Sequence, residues 1–95
     1  MSLKERLADF AGALTSATDA PDNYPFPEFQ SYEGNMADLK ELWATIRPQL
    51  TRDLEQAEFI DGKLQEMRAA FDAGDKETGR KAVWAIYNLK VEKLR

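Results

Sequence analysis

Residues 36–71 read MADLKELWATIRPQLTRDLEQAEFIDGKLQEMRAAF, and this stretch decides the fold. Its apolar residues recur in alternating steps of three and four, with one lapse at Asp53. Such spacing places side chains on one face of a helix and is typical of a heptad seam. The seam positions are Met36, Leu39, Trp43, Ile46, Leu50, Ala57, Ile60, Leu64, Met67 and Phe71. The pattern predicts helix over about residues 36–72.

One uninterrupted helix of this length does not fit a compact monomer. It would be about 55 Å long at the rise of an α-helix, whereas a compact globule of 95 residues has a radius of gyration of about 12 Å. Either the helix breaks near Pro48 or Gly62, or it stays whole and packs against a second copy of the chain. In the second case the oligomer seam would contain Met36, Leu39, Trp43, Ile46 and Leu50.

Two further helices flank this stretch. Ser2 followed by Glu5 is a capping-box signature, and the apolar residues that follow it at helical spacing predict a first helix over about residues 3–16. Gly74 suits a left-handed helix end, and Asp75 suits the cap of a last helix over about residues 76–94. The chain is therefore predicted to be one all-α domain over residues 1–95, a small helical bundle of three to four helices.

Residues 19–34, DAPDNYPFPEFQSYEG, have a different character. Three prolines exclude regular helix and restrict the residues that precede them to extended geometry. This stretch nevertheless holds four of the ten aromatic residues of the chain. We expect an extended Pro/aromatic segment between the first and second helices, either packed as a lid over the helical seam or free as a docking segment.

Aromatic side chains are the preferred anchors of protein interfaces, and the acidic residues beside them would suit a basic partner. In a packed segment, Phe26 and Phe29 are expected to anchor the segment while Tyr24 and Tyr32 face outward. The candidate partner-binding residues are Tyr24, Phe26, Glu28, Phe29, Tyr32 and Glu33.

Charge is distributed unevenly along the chain. The formal net charge is -4, but residues 19–61 carry ten acids against three bases, and residues 62–95 carry five acids against eight bases. A protein whose main ligand is nucleic acid needs clustered Lys and Arg. The acidic middle of the chain instead predicts a protein partner with a basic surface.

The composition excludes several kinds of chemistry. Without His or Cys the chain has no thiol nucleophile, no Ser-His machinery and no His or Cys ligand for zinc. Glu58 and Asp61 share a helix face, but we interpret them as part of a solvated acidic surface. We predict no catalytic residues, no metal site and no cofactor.

These observations favour a non-enzymatic protein-binding module, in concrete form a small acidic inhibitor, immunity protein, antitoxin or phage-type antagonist. The alternative is a structural or assembly adaptor that self-associates through the helical seam, as a homodimer. No apolar run is long enough to cross a bilayer, and the charged residues near the amino terminus do not resemble a secretory signal. We therefore expect a cytoplasmic protein that does not act at a membrane.

Overall fold

A computed structural model describes residues 2–95 as four α-helices with no strand among them. The helices are α1 (Leu3–Ala17), α2 (Tyr32–Ile46), α3 (Leu54–Asp72) and α4 (Lys76–Tyr87), with short 3₁₀ helices at Arg47–Gln49 and Val91–Lys93. The predicted all-α helical bundle is confirmed. None of the helices in residues 2–95 combines the length and hydropathy that a bilayer crossing requires.

Side-chain caps account for three of the helix starts. The Ser2 hydroxyl accepts from the Glu5 amide at 3.2 Å before α1, and the Ser31 hydroxyl accepts from the Gly34 amide at 3.0 Å before α2. The Asp75 carboxylate accepts from the Thr78 amide at 3.1 Å before α4. Each cap satisfies an amide that has no partner inside its helix.

The predicted helix over residues 36–72 is two helices. The chain leaves α2 through a 3₁₀ turn that contains Pro48, whose ring nitrogen cannot donate within a continuing helix. Gly62, the other candidate break, lies inside α3. Because Ser31 supplies a cap, α2 also starts at Tyr32 and so begins four residues before the predicted boundary.

The last helix is shorter than predicted and ends at Tyr87 instead of residue 94. The chain then turns through Lys90, which has a left-handed φ of 56°. The following 3₁₀ helix directs Val91 and Leu94 into the core against α1. Burial of these two side chains offsets the cost of a left-handed conformation at a residue other than glycine.

Residues 18–31, which we call the aromatic loop, join α1 to α2 by a series of turns. The Asn23 amide donates to the Asp19 carbonyl at 2.8 Å, and the amides of Phe29 and Gln30 donate to the Phe26 carbonyl at 2.9 and 3.0 Å. The predicted extended conformation of this segment is therefore not confirmed.

Two helical hairpins, α1–α2 and α3–α4, form the bundle. Helix α1 is central, because it packs against α2, against α4 and against the 3₁₀ helix Val91–Lys93. Within the core, the rings of Phe10 and Trp43 stack with centroids 5.4 Å apart. The radius of gyration is 12.7 Å and the principal extents are 35 × 24 × 18 Å, which are compact dimensions for a chain of this length.

Candidate functional site

Two tyrosines fix the position of the aromatic loop. Tyr24 is only 8% exposed, and its hydroxyl donates to the Asn35 Oδ1 at 2.9 Å. Asn35 is itself buried and donates through Nδ2 to the Ala13 carbonyl on α1 at 3.1 Å. The Tyr24 side chain therefore links the loop to both helices that the loop connects.

Tyr32 lies at the other end of the loop, in the first turn of α2. Its ring meets the Phe71 ring edge-on with centroids 5.8 Å apart, and its hydroxyl donates to the Asp72 Oδ1 at 2.9 Å. Burial raises the pKa of Tyr32 to about 12, and the hydrogen bond to Asp72 acts in the same direction. Burial also raises the pKa of Tyr24 to about 12. Both hydroxyls therefore remain protonated donors at neutral pH.

Phe26 and Phe29 face solvent. Phe26 is 60% exposed and Phe29 is 84% exposed, although both are large apolar residues. Glu28 between them and Glu33 in the first turn of α2 are also exposed. We expected the phenylalanines to anchor the segment and the tyrosines to face outward, and the structure shows the reverse. The tyrosines have hydroxyl groups that donate to Asn35 and Asp72, and the phenylalanines have no such group.

Contacts from α4 hold the loop at its start. Arg80 Nε donates to the carbonyl of the fully buried Ala20 at 2.7 Å. The Asp22 carboxylate pairs with Lys76 and lies 3.6 Å from Arg80 Nη2. The hydrogen bond from Lys76 lowers the pKa of Asp22 below its ordinary value. The turn that carries Phe26 and Phe29 thus projects from a loop that is attached to three helices.

A groove of about 950 Å³ runs along the outer face of the α1–α2 hairpin. Phe29 stands among the residues that line it, and three acidic side chains do so too: Asp9, Asp38 and Glu41. Arg6 is the one cation among the lining residues that belong to the described range 2–95, and its Nη1 donates to the Thr45 hydroxyl at 3.2 Å. The exposed phenylalanine is therefore continuous with an acidic groove, which was not foreseen because Asp9 lies far from the other two acids in the chain.

The residues of the proposed oligomer seam lie inside the monomer. All five, Met36, Leu39, Trp43, Ile46 and Leu50, are buried in the core of the chain itself. Once Pro48 breaks the helix, α3 and α4 can fold back and α1 can cover the seam. A second copy is not needed to remove these side chains from water, and self-association through this seam stays a prediction.

A second cavity, of about 500 Å³, lies between α2 and α3. Buried seam residues form its floor, and Lys40 and Arg68 are among the residues at its mouth. Lys40 was not among the predicted site residues. The sequence does contain a signal for it, because no acidic residue lies three or four positions away to form a helical ion pair.

No protein-family model, no curated protein and no solved structure matches this chain.

Proposed function

We propose that the chain is a non-enzymatic protein-binding module that occupies a basic surface of a partner protein. In its concrete form it is a small acidic inhibitor, immunity protein, antitoxin or phage-type antagonist. The contact surface consists of the exposed turn with Phe26, Glu28 and Phe29, together with Glu33 and the acidic groove of the α1–α2 hairpin. Tyr24 and Tyr32 hold this surface in position through their hydrogen bonds to Asn35 and Asp72.

The observation that carries the proposal is the exposure of Phe29 and Phe26 in an ordered turn. Full burial of a phenylalanine side chain stabilises a protein by about 1.5–3 kcal/mol. Two neighbouring phenylalanines that face water do not contribute this stabilisation. The hydrogen bonds of Phe29 and Gln30 to the Phe26 carbonyl hold the turn in shape before any partner arrives. An ordered apolar anchor loses little conformational entropy on binding, as interface hot spots require.

Charge favours a basic partner. Glu28 lies between the phenylalanines and Glu33 follows them, and Asp9, Asp38 and Glu41 continue the negative surface along the groove. Complementary charge accelerates association and excludes acidic proteins, while the apolar anchors supply most of the affinity. Binding through this surface is therefore expected to weaken as the salt concentration rises.

Affinity capture with matched variants tests the proposal. Wild-type protein should recover a stoichiometric partner from the cell that makes it, at low and moderate salt. Phe26→Ser combined with Phe29→Ser should weaken that partner's binding by about thirty-fold or more, since the loss of one hot spot alone costs roughly 2 kcal/mol. Both side chains face water, so the thermal midpoint of the double variant should match that of the wild type.

Phe59→Ser is the matched control, because Phe59 is an exposed phenylalanine on α3, outside the proposed surface. It should retain the partner. Recovery of no stoichiometric partner, or equal recovery by the double variant and the control, would reject the proposal.

Self-association through the helical seam is the less favoured function, because the seam residues are already buried within one chain.

A further inference from the structure

The cleft between α2 and α3 is bridged by polar side chains at both ends. At one end, Trp43 Nε1 donates to Asp61 Oδ1 at 2.7 Å, and Arg47 Nε donates to Asp61 Oδ2 at 3.2 Å. At the other end, the Tyr32 hydroxyl donates to Asp72 Oδ1 at 2.9 Å. Because residue 43 meets 61 and residue 32 meets 72, the two helices run antiparallel. The bridges leave a cleft of about 500 Å³ between them.

The floor of this cleft is apolar and adaptable. It is formed by Met36, Leu39, Trp43, Leu64 and Met67. The seven steps along the helix from Met36 to Trp43 span about 10 Å. Two methionines among the five provide a surface that can adjust to the shape of a ligand. The volume and lining are those of a pocket for a small, mainly apolar molecule.

Two cations, Lys40 and Arg68, lie at the mouth of the cleft. Lys40 is exposed and forms no ion pair with any residue from 2 to 95. Arg68 is held in place, since its Nε donates to both Asp72 oxygens at 3.3 and 3.2 Å and its guanidinium lies 5.4 Å from the centre of the Tyr32 ring. The terminal nitrogens of Arg68 have no hydrogen-bond partner within the described chain. Asp61, the single acid in the lining, has both oxygens engaged.

We propose that this cleft binds a small amphipathic anion, a medium-chain carboxylate. The carboxylate would lie between Lys40 and the terminal nitrogens of Arg68, where charge-assisted hydrogen bonds are available. The alkyl chain would lie over Met36, Met67 and Trp43 and displace water from the apolar floor. This site is separate from the surface around Phe26 and Phe29, and it does not depend on the proposed function.

Octanoate is the probe, with octan-1-ol and octylammonium as uncharged and cationic analogues of the same chain length. Trp84→Phe leaves Trp43 as the single tryptophan, so its fluorescence reports on the floor of the cleft. Octanoate should produce a saturable change with a Kd on the order of millimolar, given the ligand's size. Octan-1-ol should bind more weakly, and octylammonium should produce no saturable change.

Variants that lack one of the two cations test whether these side chains bind the carboxylate. Lys40→Gln and Arg68→Gln should each weaken octanoate binding by about two- to five-fold, as expected for loss of one solvent-accessible ion pair. Lys81→Gln is the matched control, because it removes a lysine from α4 that pairs with Glu77 outside the cleft. It should leave octanoate binding unchanged.

NMR of the methionine methyl groups can locate the ligand in the wild-type protein. This measurement therefore does not require that any variant folds correctly. In protein labelled at the methionine methyls, octanoate should shift the NMR resonances of Met36 and Met67. The proposal is overturned if octanoate gives no saturable change, if octylammonium binds equally well, or if both methyl resonances stay unmoved while Trp43 responds.

Discussion

At the scale of the residue, Gly79 shows how closely α3 and α4 approach. A Cβ at this position would lie 2.4 Å from two ring atoms of Phe71. The Phe71 ring is buried and packs against Tyr32, so it has little room to retreat. A glycine inside a helix ordinarily reduces stability, and here a close contact between helices requires one.

Gly79→Ala is expected to lower the free energy of unfolding by up to about 2 kcal/mol, because the overpacking cost of about 1–3 kcal/mol offsets or exceeds the gain in helix propensity of about 1 kcal/mol. Urea denaturation followed by circular dichroism measures this change. Gly62→Ala is the matched control, since no atom lies within 4 Å of its Cβ position in α3. It should raise the stability by about 0.5–1 kcal/mol, and a gain of the same size from Gly79→Ala would show that Phe71 moves away freely.

Tyr24 gives a second prediction for a single residue. Tyr24→Phe removes the donor to Asn35, and leaving a buried acceptor unpaired costs about 1–3 kcal/mol. Folding raises the pKa of Tyr24 from its ordinary value of 10.0 to about 12. The unfolded tyrosine therefore loses its proton first, so this contribution is complete below pH 10.0 and falls as the pH rises to about 12.

Urea midpoints at a series of pH values across this window test the expectation. The wild type should lose stability more steeply than Tyr24→Phe above pH 10.0, since the variant lacks one of the two raised tyrosine pKa values. Parallel curves for the two proteins would show that Tyr24 ionises equally easily in the folded and unfolded states.

At the scale of the element, the helix boundaries show which features can be predicted from neighbouring residues in the sequence. Ser2, Pro48 and Asp75 each act through neighbouring residues, so the first cap, the break after α2 and the last cap were all correctly indicated by the sequence. The lapse at Asp53 was harder to interpret. Its carboxylate accepts from the Arg95 amide at 2.8 Å, and Leu54 beside it is 48% exposed. Arg95, the partner of Asp53, lies 42 residues later in the chain. The spacing of residues around α3 therefore cannot predict this contact.

The aromatic loop depends on α4 for its order, and Arg80→Ala tests this dependence. Loss of the charge-assisted hydrogen bond to the buried Ala20 carbonyl should reduce stability by about 1–2 kcal/mol. Exchange of the amide hydrogens of Asn23, Phe29 and Gln30, measured by NMR, should accelerate more than exchange in α3.

Lys81→Ala is the control for the loop experiment, because Lys81 pairs only with Glu77 on the same exposed helix face. Its effect on stability should stay within about 0.5 kcal/mol. An equal acceleration of exchange throughout all four helices in Arg80→Ala would indicate that Arg80 supports the whole fold and does not act on the loop in particular.

At the scale of the whole molecule, the burial of the seam favours a monomer over a coiled-coil dimer. The apolar face of α2 is covered by the chain's own helices, and the longest extent is 35 Å, shorter than the predicted uninterrupted helix. We expect light scattering at high micromolar concentration to give the mass of one chain, 10.8 kDa. A mass of two chains would require an interface elsewhere on the molecule or an unfolding of the hairpins.

The all-α class, the amphipathic faces, the starts of α1 and α4 and the need for a break could be predicted from the sequence, because caps, proline and helical periodicity act over one or two turns. Only the tertiary structure decided which aromatics face water. Tyr24 and Tyr32 turn inward because Asn35 and Asp72 accept from their hydroxyls, whereas Phe26 and Phe29 have no such group. Tertiary structure likewise placed Lys40 and Arg68 in the lining of one cleft, since contacts between distant residues form only when the hairpins pack.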